Sequence, residues 1–133
     1  MSATETVESY LIRTGVAHEQ IDDTTWVVQL DDARRSRIAV KIEEPILLFS
    51  TPILEVPAQA GDLEKLYRTL LELNAELVHG AYALQGQRVV LSGTQQTESV
   101  DLNEFQATLD DMAMALDKHR DQLGSWTAAP ATN

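Results

Sequence analysis

Apolar residues recur along this chain in two rhythms, and the switches between them mark out its elements. Val7, Tyr10, Leu11 and Thr14 follow at helical spacing. Ser2 and Thr4 can each cap a helix, Glu5 stands where a capping box needs it, and Gly15 is a natural stop. A first helix is expected at about Thr4 to Thr14. A polar stretch through His18 and Asp23 leads to Thr24–Leu30, where Trp26, Val28 and Leu30 alternate with Val27 and Gln29. Asp31 to Ser36 reads as a charged turn. Ile38, Val40 and Ile42 then alternate with Arg37, Ala39 and Lys41, one face to the core and one to water. Ile46 to Val56 is nearly all apolar but is broken by Pro52, which cannot donate to a sheet ladder and belongs on an edge or at a bulge. These three strands predict an antiparallel meander.

Residues 58–61 read as a link, and Asp62 as the N-cap of a second helix. Leu63, Leu66, Tyr67, Leu70, Leu73 and Leu77 follow one helical face, and Leu71 widens it. That helix is expected to end between Leu77 and Gly80. Ala81–Leu84 and Arg88–Ser92 predict a hairpin through Gln85-Gly86-Gln87, with Gly86 supplying a positive φ. Gly93 to Ser99 reads as a loop or a frayed strand end. Asp101 caps a last helix, with Glu104 completing a capping box. Leu102, Phe105, Leu109, Met112 and Leu116 repeat by three and four, and Gly124 is the expected stop. The predicted class is α+β: an antiparallel sheet of about five strands, in the order α-β-β-β-α-β-β-α, with helices packed on it. Residues 1–124 are expected to form one domain and 125–133 a disordered tail.

The chain has 133 residues, enough for one core, and carries 21 acidic against 10 basic residues, a formal charge of -11. Nucleic-acid binding needs a basic footprint, and anionic membrane surfaces need one too. Neither partner is expected. Arg34, Arg35 and Arg37 are the only basic cluster, expected as a solvated turn rather than an anion site. Cysteine is absent, which removes disulfides, thiolate metal sites and thiol nucleophiles. Met1 to Tyr10 lacks the basic n-region of a signal peptide, and no apolar run reaches membrane-spanning length. A cytoplasmic protein is expected.

Chemistry is hard to find. His18, His79 and His119 are far apart in sequence and are expected to be exposed or capping. The pairs Asp22/Asp23, Asp31/Asp32, Glu43/Glu44 and Asp110/Asp111 fall at turns or on a wet helix face, where neighbouring carboxylates point apart. The glycines stand singly, so no loop cradles a phosphate. No catalytic, cofactor-binding or metal-binding residue is assigned, and no cofactor is expected.

The run Leu70-Leu-Glu-Leu-Asn-Ala-Glu-Leu77, then Gly80-Ala-Tyr-Ala-Leu84, Arg88-Val-Val-Leu91 and the helix Leu102 to Leu116, resembles the YbjN family. In that family a leucine-rich helix ending in LNxEL-type residues precedes a short strand, a glycine turn, a valine-rich strand and an acidic amphipathic helix. The resemblance covers about half the chain; the first sixty residues match only in element order. It implies a fold like that of type III secretion chaperones, small acidic proteins, usually homodimers, that hold an extended segment of another protein.

Two surfaces follow. Ile46, Leu48, Phe49, Ile53 and Leu54 belong to a strand more apolar than one buried face requires, and are the expected partner-binding residues. An open sheet face with an apolar edge strand could take an extended peptide by strand addition or in side-chain pockets. Leu63, Leu66, Tyr67, Leu70 and Leu71 are the expected homodimer surface, a step that rests on the resemblance. The expected function is a non-catalytic, chaperone-like adaptor. The alternative is a small-molecule-sensing or signal-transduction regulatory domain, with a pocket lined by Trp26 or Tyr82.

Overall fold

Capping chemistry and alternation build most of the elements where the sequence places them. The computed structural model describes residues 1–32, 34–57 and 63–127. Helix α1, Ala3–Thr14, starts at a complete Ser2/Glu5 capping box and stops at Gly15, whose φ is +75°. Four strands follow: β1, Ala17–Asp22; β2, Thr25–Gln29; β3, Arg37–Glu43; and β4, Ile46–Glu55. Helix α2, Leu63–Asn74, crosses to the hairpin of β5, Ala81–Gln85, and β6, Arg88–Gln96. Helix α3, Leu102–Lys118, opens on the Asp101/Glu104 capping box, and α4, Arg120–Thr127, closes the described chain. The Asp62 cap and the 58–61 link lie outside the described residues.

The strands form one six-stranded antiparallel sheet in the order β1-β2-β3-β4-β6-β5. The described helices pack into one core on the same side of it. Trp26, Val28, Ile38, Val40, Leu47 and Phe49 turn inward to meet them. Val7 and Leu11 of α1, Leu66 and Leu73 of α2, and Phe105 and Met112 of α3 complete this core. Phe105 sits at its middle, tilted against Tyr10 at 5.5 Å and Phe49 at 5.4 Å between ring centroids.

Several expectations are corrected. The segment through His18 is strand β1, so the sheet has six strands where about five were expected. All six of its residues are exposed, and an element that buries nothing leaves no alternation to read. Strand β6 runs on through Gly93 to Gln96 instead of ending at Ser92. Gly93 is needed there because Gly80 crosses it: a Cβ on Gly93 would stand 3.4 Å from the Gly80 Cα. Helix α2 stops at Asn74, short of Leu77. The Asn74 side chain leaves the helix to accept from Tyr82 N at 2.6 Å and donate to Tyr82 O at 3.2 Å, pairing with β5 as a neighbouring strand would. Asp111 holds the link that follows by accepting from His79 N at 2.7 Å. Gly124 does not stop the chain's last helix; α4 continues through it to Thr127. Lastly, β4 lies between β3 and β6, so the apolar strand is not an edge and strand addition along it is ruled out. Pro52 sits at the other permitted place, a register shift between Pro52 and Leu54.

Candidate functional site

Two features stand apart from the core. The first is the side of the sheet that no helix among the described residues covers. Paired residues in antiparallel strands share a face, so the register assembles this surface directly. Val27 faces Ala39, Ala39 faces Ser50, Ser50 faces Ser92 and Ser92 faces Ala81, making a row of small side chains across the sheet. Beside it, Leu48 lies between Lys41 and Thr94, and Ile46 pairs with Gln96. Val27, Ala39, Ile46 and Leu48 are half-buried by their neighbours, with no second layer over them among the described residues.

The expected partner-binding residues therefore divide. Ile46 and Leu48 lie on the open face. Phe49, with no exposed surface, and Leu54 turn into the core. Ile53 is displaced by the register shift and packs against the core from its margin. The expected dimer residues divide too. Leu66 and Leu70 are core residues, and Leu63 and Tyr67 are half-buried against it. Leu71 is 70% exposed. With Tyr67 it lies among Glu64, Arg68 and Glu72 on a shallow, mostly apolar surface of α2.

The second feature is a pocket of about 330 Å³ over the β4 register shift, at the junction of α3 and α4. Pro52, Ile53, Leu116 and Leu123 make its apolar wall. Tyr82 and His119 stand on its inner side. His119 is 2% exposed and caps α3 through its backbone N–H. Its Nδ1 lies 2.7 Å from the Tyr82 hydroxyl, and its Nε2 lies 3.2 Å from Glu76 Oε1. With Glu76 ionised, Nε2 donates to it, and a neutral ring accepts the Tyr82 proton at Nδ1. The His119 hydrogen bond, and then that of Lys118, holds the Glu76 carboxyl below its usual range. Trp26, 1% exposed, belongs to the core and does not line this pocket; Tyr82 does. This buried histidine network was not anticipated. Its members stand 37 and 43 positions apart, so no local spacing announces it.

Burial, and next the charge of Glu76, pushes the Tyr82 phenol up to about 12. An unfolded chain releases that proton near pH 10. The folded state keeps it longer, so the stability it supplies is present below about pH 10 and lost as pH rises through about 12. Denaturant unfolding of the native chain and of Tyr82→Phe should therefore diverge over this window. The native chain is expected to lose on the order of 2 kcal/mol more than the variant. Parallel pH profiles would remove Tyr82 from the account.

A six-stranded antiparallel sheet with the described helices packed on it is the fold that this chain shares with solved secretion chaperones. The CesT_Tir_1 family model matches residues 1–129. The chain belongs to that type III chaperone family. No curated protein matches it. Among solved structures, a chain of the heterodimeric ExoU-SpcU complex from the type III secretion system of Pseudomonas aeruginosa is similar with a TM-score of 0.62 and 17% identity, over 92% of this chain and 98% of that chain. YbjN from E. coli is similar at 0.61 and 15%, over 89% and 91%. A chain of the ExsC-ExsE complex is similar at 0.61 and 15%, over 97% and 99%. The YbjN-like, secretion-chaperone-like fold read from the sequence is thus the fold of this chain. No helix among the described residues is long and apolar enough to cross a membrane.

Proposed function

We propose that this chain is a non-catalytic, chaperone-like adaptor that works as a homodimer and holds an extended segment of a partner protein. The observation that carries the reading is the open sheet face, with Val27, Ala39, Ile46 and Leu48 presenting apolar surface and no layer over it among the described residues. A wide, gently polar face of small side chains lets another backbone approach closely. Ile46 and Leu48 offer apolar contacts to alternate side chains of that segment. Membership of a chaperone family and likeness to structures of protein complexes support a protein partner over a nucleic acid or a membrane. The excess of acidic residues favours a basic segment, drawn in by long-range attraction.

In this reading the dimer forms through Leu71 and Tyr67 of α2, which is supported by Leu71 being the large apolar side chain on that helix left outside the core. Light scattering should give twice the chain mass, and Leu71→Asp should return it to the monomer mass without loss of helical circular dichroism. A native chain that scatters as a monomer at all working concentrations would remove the homodimer from this reading. It would leave the open face untouched.

A further inference from the structure

We propose that the pocket at the α3–α4 junction is a binding site for a small organic anion, a carboxylate carried on an apolar or aromatic body. The site is separate from the open sheet face and does not depend on the adaptor reading.

The charge of the pocket is the first observation. The chain carries 21 acidic residues against 10 basic ones, yet the charged side chains lining this pocket are Arg34, Arg37 and Arg120, with no carboxylate among them. A low-dielectric concavity lined by one sign of charge concentrates counter-ions of the other. Here it does so against the field of the whole molecule.

The arginines are also available. Arg34 and Arg37 make no ion pair within 4 Å of a described residue. Arg120 reaches Asp117 Oδ1 at 3.6 Å and Asp32 Oδ2 at 4.0 Å, both too long for the paired, fork-like contact a guanidinium makes with a carboxylate. Asp32 is engaged elsewhere: it accepts from Ser36 Oγ at 2.6 Å and Ser36 N at 2.7 Å, and these bonds hold its carboxyl below the usual range. Arg120 Nε is buried with no acceptor among the described residues. A buried donor in that state is costly, and an anion in the pocket would satisfy it.

The geometry is prepared by the fold. The Asp32–Ser36 bonds and the Arg35 N to Asp32 O bond of 3.0 Å close the turn between β2 and β3, with Arg35 at φ +53°. That turn sets Arg34 and Arg37 on either side of the left-handed residue. The Tyr82–His119–Glu76 chain fixes the inner wall. Pro52 and Ile53 join the lining where the β4 register shifts. The result is a pocket whose lining combines three cations with the apolar side chains of Ile53, Leu116 and Leu123. At about 330 Å³ the space suits a ligand of one ring with one anionic group, at the small end of ordinary ligand pockets.

The test uses the full chain with benzoate as probe, benzamide as its neutral isostere and a capped acidic tripeptide as the peptide source of the same carboxylate. Binding is read from the arginine Nε–Hε resonances. Benzoate should shift the Arg120 resonance saturably, and benzamide should not. Arg37→Gln should weaken benzoate about tenfold, and Arg34→Gln should weaken it in the same direction. Both side chains are exposed, so neither change threatens the fold. An equal shift by benzamide, a non-saturable shift, or an affinity unchanged in both variants overturns the proposal. Tighter saturation by the tripeptide assigns the pocket to a chain segment and overturns the small-molecule site.

Discussion

Phe105→Ala is expected to cost about 3–5 kcal/mol of folding stability. Phe105 has no exposed surface. Its ring touches Tyr10 of α1 on one side and Phe49 of β4 on the other, so it is where α1, α3 and the sheet meet. Removing it leaves a cavity that the sheet cannot close by moving, because Phe49 is held between β3 and β6. Single domains have only about 5–15 kcal/mol in hand, so the variant should unfold at a much lower denaturant midpoint with an unchanged slope. Leu71→Ala in the monomeric state, at a residue 70% exposed, is the contrast and should change stability by less than about 0.5 kcal/mol. If the two variants unfold alike, the three-ring junction is not the centre of the core.

Gly80→Ala comes second, at about 2–4 kcal/mol. Gly80 has φ +115°, a conformation that side chains disfavour. A Cβ there would stand 2.8 Å from the backbone oxygen of Ser92, and a strand backbone has little room to give. Either β5 must lift from β6 or the α2–β5 link must rebuild. The Tyr82–Asn74 pairing lies directly beyond, so the disturbance should reach it. Hydrogen exchange of the Tyr82 amide should accelerate in the variant more than that of Val28, far across the sheet. A neutral Gly80→Ala would mean that the close crossing of Gly80 over Gly93 does not constrain this fold.

Much of this architecture was legible from the sequence, for reasons visible in particular residues. The capping boxes at Ser2/Glu5 and Asp101/Glu104 form as written. The alternation of Ile38, Val40 and Ile42 became a strand with one wet face. What escaped was structure that leaves no apolar period. Strand β1 is exposed throughout, and α4 spans Gly124, a residue that usually ends helices. The end of α2 was misjudged because Asn74 exchanges the helix for a strand edge, a choice made by Tyr82 eight residues on.

The sites were less legible than the fold. Alternation along β4 separates Leu48 from Phe49, but only the register shift at Pro52 shows why Ile53 and Leu54 do not continue that pattern. The dimer set mixed core leucines with Leu71 because a single stripe cannot say which neighbour covers it. The pocket draws on the 34–37 turn, β4, Tyr82 and the 116–123 junction. Arg34, Arg35 and Arg37 were its one local sign, and they read more simply as a wet turn.

The central claim is that the open sheet face receives the partner, and site-specific photo-crosslinking in the native cell tests it most directly. A photoreactive side chain replaces Leu48 on the open face or, in a second strain, Asp110 on the exposed side of α3. Position 48 should give a discrete adduct with another protein, lost when Ile46→Asp is added to the same face, while position 110 gives none. Adducts of equal yield from both positions, or none from position 48, would contradict the account.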